Sequence, residues 1–353
     1  MIKVKISIGW HKNKKGTPPY GEDLSIFNFT NSKENIFNDK KYYINSKVDN
    51  PDYWFVLENT RFNSQENTSI AKDKLYFLNS ETRYEPSYFL KPSKELFLKQ
   101  FDKVYSPNFI NMNNVKNAPP FLMWRLRGDP FDDINDVSDI EFFKNLSIKK
   151  EALLSVYCTT KQITEIQKVR LDFVKKLKKL LGDDLHWYGA DNKTENKIEG
   201  IGKYKYHLVL ENQISHNFIS EKLYDSFLGS AYPIYSGAPN ASDYFEKNSF
   251  LTINLNDFNG SIQKILGCIN NNNYEKNIES LKRSKLVTLE KFNLIKRIDS
   301  IVENNLEVKE SVSTIKIIYP KVYFENKSRF ARILFSINQR VKKIYMYLES
   351  FYS

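Results

Sequence analysis

The chain has 353 residues, enough for two domains of ordinary size. Hydrophobic residues at 41% and charged residues at 27% exclude wholesale disorder, and only 12 glycines exclude collagen-like and Gly-linker chains. Lys and Arg number 53 against 42 Asp and Glu, so the formal charge of +11 invites nucleic acid, an anionic membrane or a phosphorylated substrate as partner.

In chain order, Ile2–Ile8 alternates apolar and polar residues, as a half-buried strand does. Tyr53–Leu57 and Leu75–Leu78 are short apolar runs between turn formers, and Val104-Tyr105 belongs to another that stops at Ser106-Pro107. Pro119-Pro120 opens the segment FLMWRL. The acidic run from Asp129 to Asp139 reads as an interdomain linker that ends near residue 148. Beyond it, Ala152–Tyr157 reads as a strand. Ile163, Ile166, Val169, Phe173, Leu177 and Leu180 recur at three- and four-residue steps, which predicts a helix stopping at Gly182. Further strands are expected over 186–188, 206–210, 232–235 and 250–253, with a helix over 220–228 whose N-cap is Ser220. The run INNNNYEKN from Ile269 reads as an exposed loop. Strands alternating with helices through short loops predict an α/β fold with a doubly wound parallel sheet. Ligands of such sheets sit beyond the carboxyl ends of the strands.

Several motifs are missing. There is no D-x-D, no Walker A loop and no G-x-G-x-x-G, so metal–diphosphate, ATPase and dinucleotide readings lack support. His11, His186, His207 and His216 have no ligand-like spacing, and Cys158 and Cys268 alone suit a reduced compartment rather than a disulfide framework. The informative stretch runs from Lys203 to Tyr244. A strand delivers Glu211-Asn212 to its carboxyl end, and a loop leads to a helix whose first turn carries Glu221-Lys222. A carboxylate there can accept hydrogen bonds from a ribose diol, and helix N-terminal amides beside a lysine suit a phosphate. Taken alone, the pair also reads as a dipole-complementing carboxylate next to a solvated lysine.

The order of motifs resembles the C-terminal signature of the glycosyltransferase family 10 fucosyltransferases. It comprises Leu210-Glu211-Asn212, Phe218-Ile219-Ser220-Glu221-Lys222, Pro233-Ile234, Gly237-Ala238-Pro239 and Ser249-Phe250, with Arg170, Phe173 and Leu177 upstream. Phe218 stands where that family usually has Tyr, and Thr159-Thr160 where it has Ser-Asn. The resemblance implies a GT-B-like fold of two Rossmann-type lobes facing a cleft. An acceptor-side lobe is expected over 1–148, a GDP-sugar lobe over 149–325, and a basic amphipathic tail over 326–353. It also implies inverting transfer of L-fucose from GDP-β-L-fucose to an α-1,3 or α-1,4 position on a GlcNAc or Glc unit of an oligosaccharide acceptor. Arg170 and Lys222 would carry the diphosphate, and Glu221 and Asn212 the ribose or sugar. Glu211, Phe218 and Ser220 complete the implied donor site, with Tyr204, Lys205 and Asn240 at its rim. The implied base is Glu81 of Asn79-Ser80-Glu81-Thr82, with Glu85 as the rival register. No metal site is predicted and no cofactor is required; a divalent ion would at most stimulate.

From Lys327 to Ser353, Phe330, Ile333, Leu334, Ile337, Val341 and Ile344 recur at helical spacing, among six basic residues and one acid, Glu349. Such a helix either packs on the body or lies on an anionic membrane at ~1 kcal/mol per basic residue. The membrane reading is favoured, because bacterial members of the resembled family end in similar tails. The N-terminus lacks a signal-peptide apolar run, and no stretch approaches ~20 apolar residues. The expectation is a cytoplasmic enzyme of bacterial surface-glycan synthesis, held at the inner face of the membrane. Three other readings stand beside it: another GDP-sugar or acceptor on the same fold, a non-catalytic glycan-binding relative, and a nucleic-acid-binding protein. The last lacks any recognition-helix or RNP-type motif, and no nucleic-acid partner is expected.

Overall fold

The computed structural model describes residues 1–9, 34–80, 92–127, 139–189, 192, 194, 196–306 and 314–327. In the first half lie β1 (Ile2–Ile8), β2 (Ile36–Phe37), β3 (Lys40–Ile44), β4 (Tyr53–Leu57), β5 (Glu66–Ala71), β6 (Leu75–Leu78), α1 (Pro92–Leu98), β7 (Lys103–Ser106) and β8 (Val115–Asn117). All these strands except β5 form a sheet of order β2-β3-β1-β4-β6-β7-β8, parallel apart from β2. The unbroken apolar run YWFVL of β4 is wholly buried, as expected of a parallel strand covered on both faces. The strand order reverses between β1 and β4, which makes their carboxyl ends the switch point of this sheet.

The second half contributes α2 (Ile140–Asn145), β9 (Ala152–Tyr157), α3 (Glu165–Leu181), β10 (Leu185–Tyr188), α4 (Lys197–Ile201), β11 (Tyr204–Leu210), α5 (Glu221–Leu228), β12 (Tyr232–Ser236) and β13 (Leu251–Thr252). Its sheet is parallel, in the order β10-β9-β11-β12-β13. The predicted amphipathic helix is α3. Thr164 and Gln167 close a capping box at its start, and Gly182, at φ +55°, ends it where a side chain would be strained. Then come α6 (Phe258–Asn270), α7 (Asn273–Lys276), α8 (Ile278–Lys291), α9 (Leu294–Glu303), β14 (Thr314–Ile318) and α10 (Lys321–Lys327). The asparagine-rich run is therefore helical rather than a plain loop. Asn272 takes the left-handed conformation at φ +51°, where asparagine is tolerated, and starts α7.

The structure moves the expected domain boundaries. FLMWRL carries the crossing itself: Phe121 and Met123 pack into the core of the first sheet, Trp124 and Leu126 into that of the second lobe. Side chains of an extended segment point alternately to opposite sides, so one such segment can seal both cores. The second lobe thus begins near Trp124 rather than at 149, ahead of the acidic run, whose residues 128–138 lie outside the described ones. It also ends early. Phe292 packs in the second lobe, whereas Leu294, Ile295, Ile298 and Val302 of α9 join Val4, Ile6 and Phe55 in the first. Buried Lys40 of β3 binds Asp299 at 3.1 Å and pairs with Glu303, fastening α9 to its sheet. β14 then pairs antiparallel with β5. Residues 294–306 and 314–327 therefore belong to the first lobe and not to a lobe spanning 149–325. Among the described residues no helix is long and apolar enough to cross a membrane, and tail residues 328–353 lie outside them.

Candidate active site

The carboxyl edge of the second sheet opens into a cavity of about 660 Å³. The end of β9 brings Tyr157, Cys158 and Thr159 to it, the first turns of α3 bring Gln167 and Arg170, and the end of β11 brings Leu210 and Asn212. The first turns of α5 add Glu221, Lys222 and Asp225. Arg125, Lys161, Arg170, Lys197 and Lys222 thus face two carboxylates, Glu221 and Asp225, so the wall is cationic. A concave, positively charged site at strand ends beside a helix N-terminus suits a diphosphate.

Arg170 is 6% exposed; its Nη1 donates to Asn212 Oδ1 while its Nε has no hydrogen-bond partner. Lys222 Nζ lies 3.2 Å from Glu221 Oε1, 3.1 Å from Ser220 Oγ and 3.7 Å from Glu211 Oε2. Burial works against the charge of Glu221, but Lys222, then Lys197 and Arg125, outweigh it and hold the carboxyl well below its ordinary range. Burial likewise opposes the charge of Lys222, and Glu221 with Glu211 overcomes it and raises the ammonium's pKa. Both groups are therefore ionised at neutral pH.

Glu211 is fully buried and does not line the cavity. Its Oε1 accepts from the Ser220 backbone N–H at 2.8 Å and its Oε2 from the Ser220 hydroxyl at 2.6 Å. Ser220 Oγ in turn accepts from the Lys222 backbone N–H, making the predicted N-cap of α5. Glu211 is thus the post that seats the start of α5. Gly237 explains the Gly-x-Pro element: a Cβ there would fall 2.2 Å from the Tyr235 hydroxyl and 2.5 Å from Glu211 Cγ, so only glycine lets the chain close over the carboxylate.

Of the residues assigned to the donor, Arg170, Asn212, Glu221 and Lys222 converge on the cavity. Glu211, Ser220 and Phe218 stand behind its wall, with Phe218 buried. Tyr204 and Lys205 open β11 at its amino end, away from the ligand edge. The Tyr204 hydroxyl meets that of Tyr188 at 2.7 Å, and Lys205 pairs with Glu275 at 2.5 Å. Asn240 also misses the cavity. It braces Asn217, at φ +63°, accepting from its N–H at 2.8 Å and donating to its Oδ1 at 2.9 Å. These three are structural, because strand direction and the tight 212–219 loop carry them off the site. Sequence reasoning missed Arg125, Lys161, Gln167, Thr194, Asn196, Lys197 and Asp225. Asp225 had a legible signal, since it lies one helical turn after Glu221. His207 also reaches the cavity but is neutral: burial, then Lys197 and Lys150, pushes its pKa down to about 3.

Glu81 and Glu85 lie outside the described residues. The chain enters that stretch from buried Ser80, at the end of β6 next to the first sheet's switch point. Glu58, held at φ +64°, accepts from the Ser80 N–H and, at 3.0 Å, from its hydroxyl. Among the described residues no three His, Cys, Asp or Glu side chains gather as a metal site would require.

Known proteins resemble this chain over part of its length. Alpha-(1,3)-fucosyltransferase FucT of Helicobacter pylori is 28% identical over 145 residues, 40% of this chain and 28% of that protein. 4-Galactosyl-N-acetylglucosaminide 3-alpha-L-fucosyltransferase 9 of Mus musculus is 31% identical over 112 residues, 30% of each. The chain thus matches less than a third of the length of these relatives. A crystal structure of an alpha1,3-fucosyltransferase superposes with a TM-score of 0.50 at 16% identity, covering 87% of this chain and 89% of that one, and so shares the two-lobed GT-B-like fold. The matching part is the lobe that holds the cavity: residues 148–279 are similar to the C-terminal domain described for glycosyltransferase family 10 (fucosyltransferase).

Proposed function

We propose that the protein transfers L-fucose, with inversion, from GDP-β-L-fucose to a GlcNAc or Glc hydroxyl of a glycan acceptor. The observation that carries this reading is the convergence of Arg170, Asn212, Glu221 and Lys222 on one cationic cavity at the strand ends. The acceptor hydroxyl attacks the anomeric carbon as the bond to the diphosphate breaks, and the emerging diphosphate charge meets the guanidinium and ammonium. Glu221 and Asn212 offer acceptor atoms to a ribose or sugar hydroxyl. The proton of the attacking hydroxyl goes to a carboxylate of the first lobe, Glu81 in preference to Glu85.

The test is incubation with GDP-fucose and lactose- or N-acetyllactosamine-type acceptors, with the product linkage read by NMR. An α-linked fucosyl product is expected, and Glu81→Gln should reduce its formation by about 10²–10⁴-fold. Turnover of another sugar nucleotide but not GDP-fucose would overturn the donor, and full activity in Glu81→Gln would overturn the base. The basic segment 327–353 is proposed to bind the anionic inner face of a bacterial membrane. Co-sedimentation with anionic liposomes should be lost when the chain ends at residue 326; retained binding would refute it.

A further inference from the structure

Asp225 is fully buried on α5, yet both its oxygens are engaged at the cavity wall. Oδ2 binds Lys197 Nζ at 2.8 Å, and Oδ1 accepts from the backbone N–H of Arg125 at 2.9 Å. The carboxylate is therefore held by two elements at once, the first residue of α4 and the segment that crosses between the lobes. Lys197 differs from its partner in reaching solvent: its side chain is 29% exposed and lines the cavity with Arg170 and Lys222. A lysine ammonium has three donors. A lysine serving only to neutralise a buried acid would be expected to be buried with it, whereas this one stays open to the cavity. Its charge also reaches Glu221, next after Lys222 among those that keep that carboxylate ionised.

We propose that Lys197 is a further cation for the donor's diphosphate, and that Asp225 is the positioning residue that aims it. The assignment rests on reading the cleft as a nucleoside-diphosphate site. Lys197 thereby shares the leaving-group charge with Arg170 and Lys222. Asp225 does not touch the ligand.

Calorimetric titration of the full chain with GDP and with guanosine tests this. Lys197→Met should weaken GDP about 10- to 100-fold, the loss of one charge-assisted hydrogen bond, and leave guanosine unchanged. Lys197→Arg should recover most of the GDP affinity. Asp225→Asn removes a repelling charge while loosening the lysine, so GDP binding should stay within about threefold while kcat falls about tenfold or more. Lys197→Met binding GDP as the wild type does, or losing GDP and guanosine equally, would show a structural ion pair and overturn the proposal. A wild-type chain that does not prefer GDP to guanosine would instead remove the diphosphate reading beneath it.

Discussion

Arg170→Ala should lower kcat/KM for fucosyl transfer by about 10²–10³-fold, and Arg170→Lys should recover little of it. The guanidinium is buried on the second turn of α3, with Nη1 on Asn212 and Nε unpartnered. A buried N–H without a partner is costly, and a phosphate oxygen of the proposed donor would supply the missing acceptor. The planar fork can bind Asn212 and a phosphate together, whereas an ammonium at the end of a flexible stem cannot keep that geometry. Steady-state rates across donor concentrations, with GDP affinity measured beside them, check the expectation. Wild-type rates in the alanine variant would show that this helix does not face the donor.

Glu211→Ala should destabilise the protein by about 3–5 kcal/mol, a large share of a domain's stability. It strips the Ser220 N–H and hydroxyl of their acceptor and leaves Lys222 one counter-charge short inside the wall. Burial raises the Glu211 pKa above its ordinary value, with Lys222 and Ser220 offsetting only part of the rise. Between the ordinary and raised values the folded chain keeps a proton that the unfolded chain has released. This group's contribution to stability therefore falls as pH climbs through that window. Denaturant titrations over a pH series should show the slope in the wild type and a flatter profile in Glu211→Gln. An alanine variant as stable as the wild type would mean that the buried carboxylate does not seat α5.

The second lobe was the more legible part because its signals are local. The period of α3, the Thr164 and Ser220 caps and the apolar strands each state their structure within a few residues. The four residues that converge on the cavity were readable because helix starts and strand ends place side chains predictably. Lys197 and Arg125 were not readable. Lys197 follows a polar stretch of sequence with no periodicity, and Arg125 is tied to the site by Asp225, far along the chain, which accepts from its backbone N–H. The return of α9 was hidden for a related reason. Its apolar face announces burial but not against which core, and the deciding ion pairs of Lys40 lie across the whole chain.

Arg297 marks where the two crossings meet. Its guanidinium donates to the carbonyls of Pro119 and Pro120 at 2.8 and 2.6 Å, stacks 3.5 Å from the Phe121 ring and lies 5.7 Å from that of Phe292. A lobe on one tether can swivel in any direction, whereas two tethers side by side leave easy rotation only about the line that joins them. Two adjoining crossings therefore restrict how the second lobe can turn or slip against the first. The second lobe is also a single uninterrupted stretch of chain set into the first. The lobe that holds the cavity could thus be exchanged for its counterpart in a relative by cutting at these two neighbouring points.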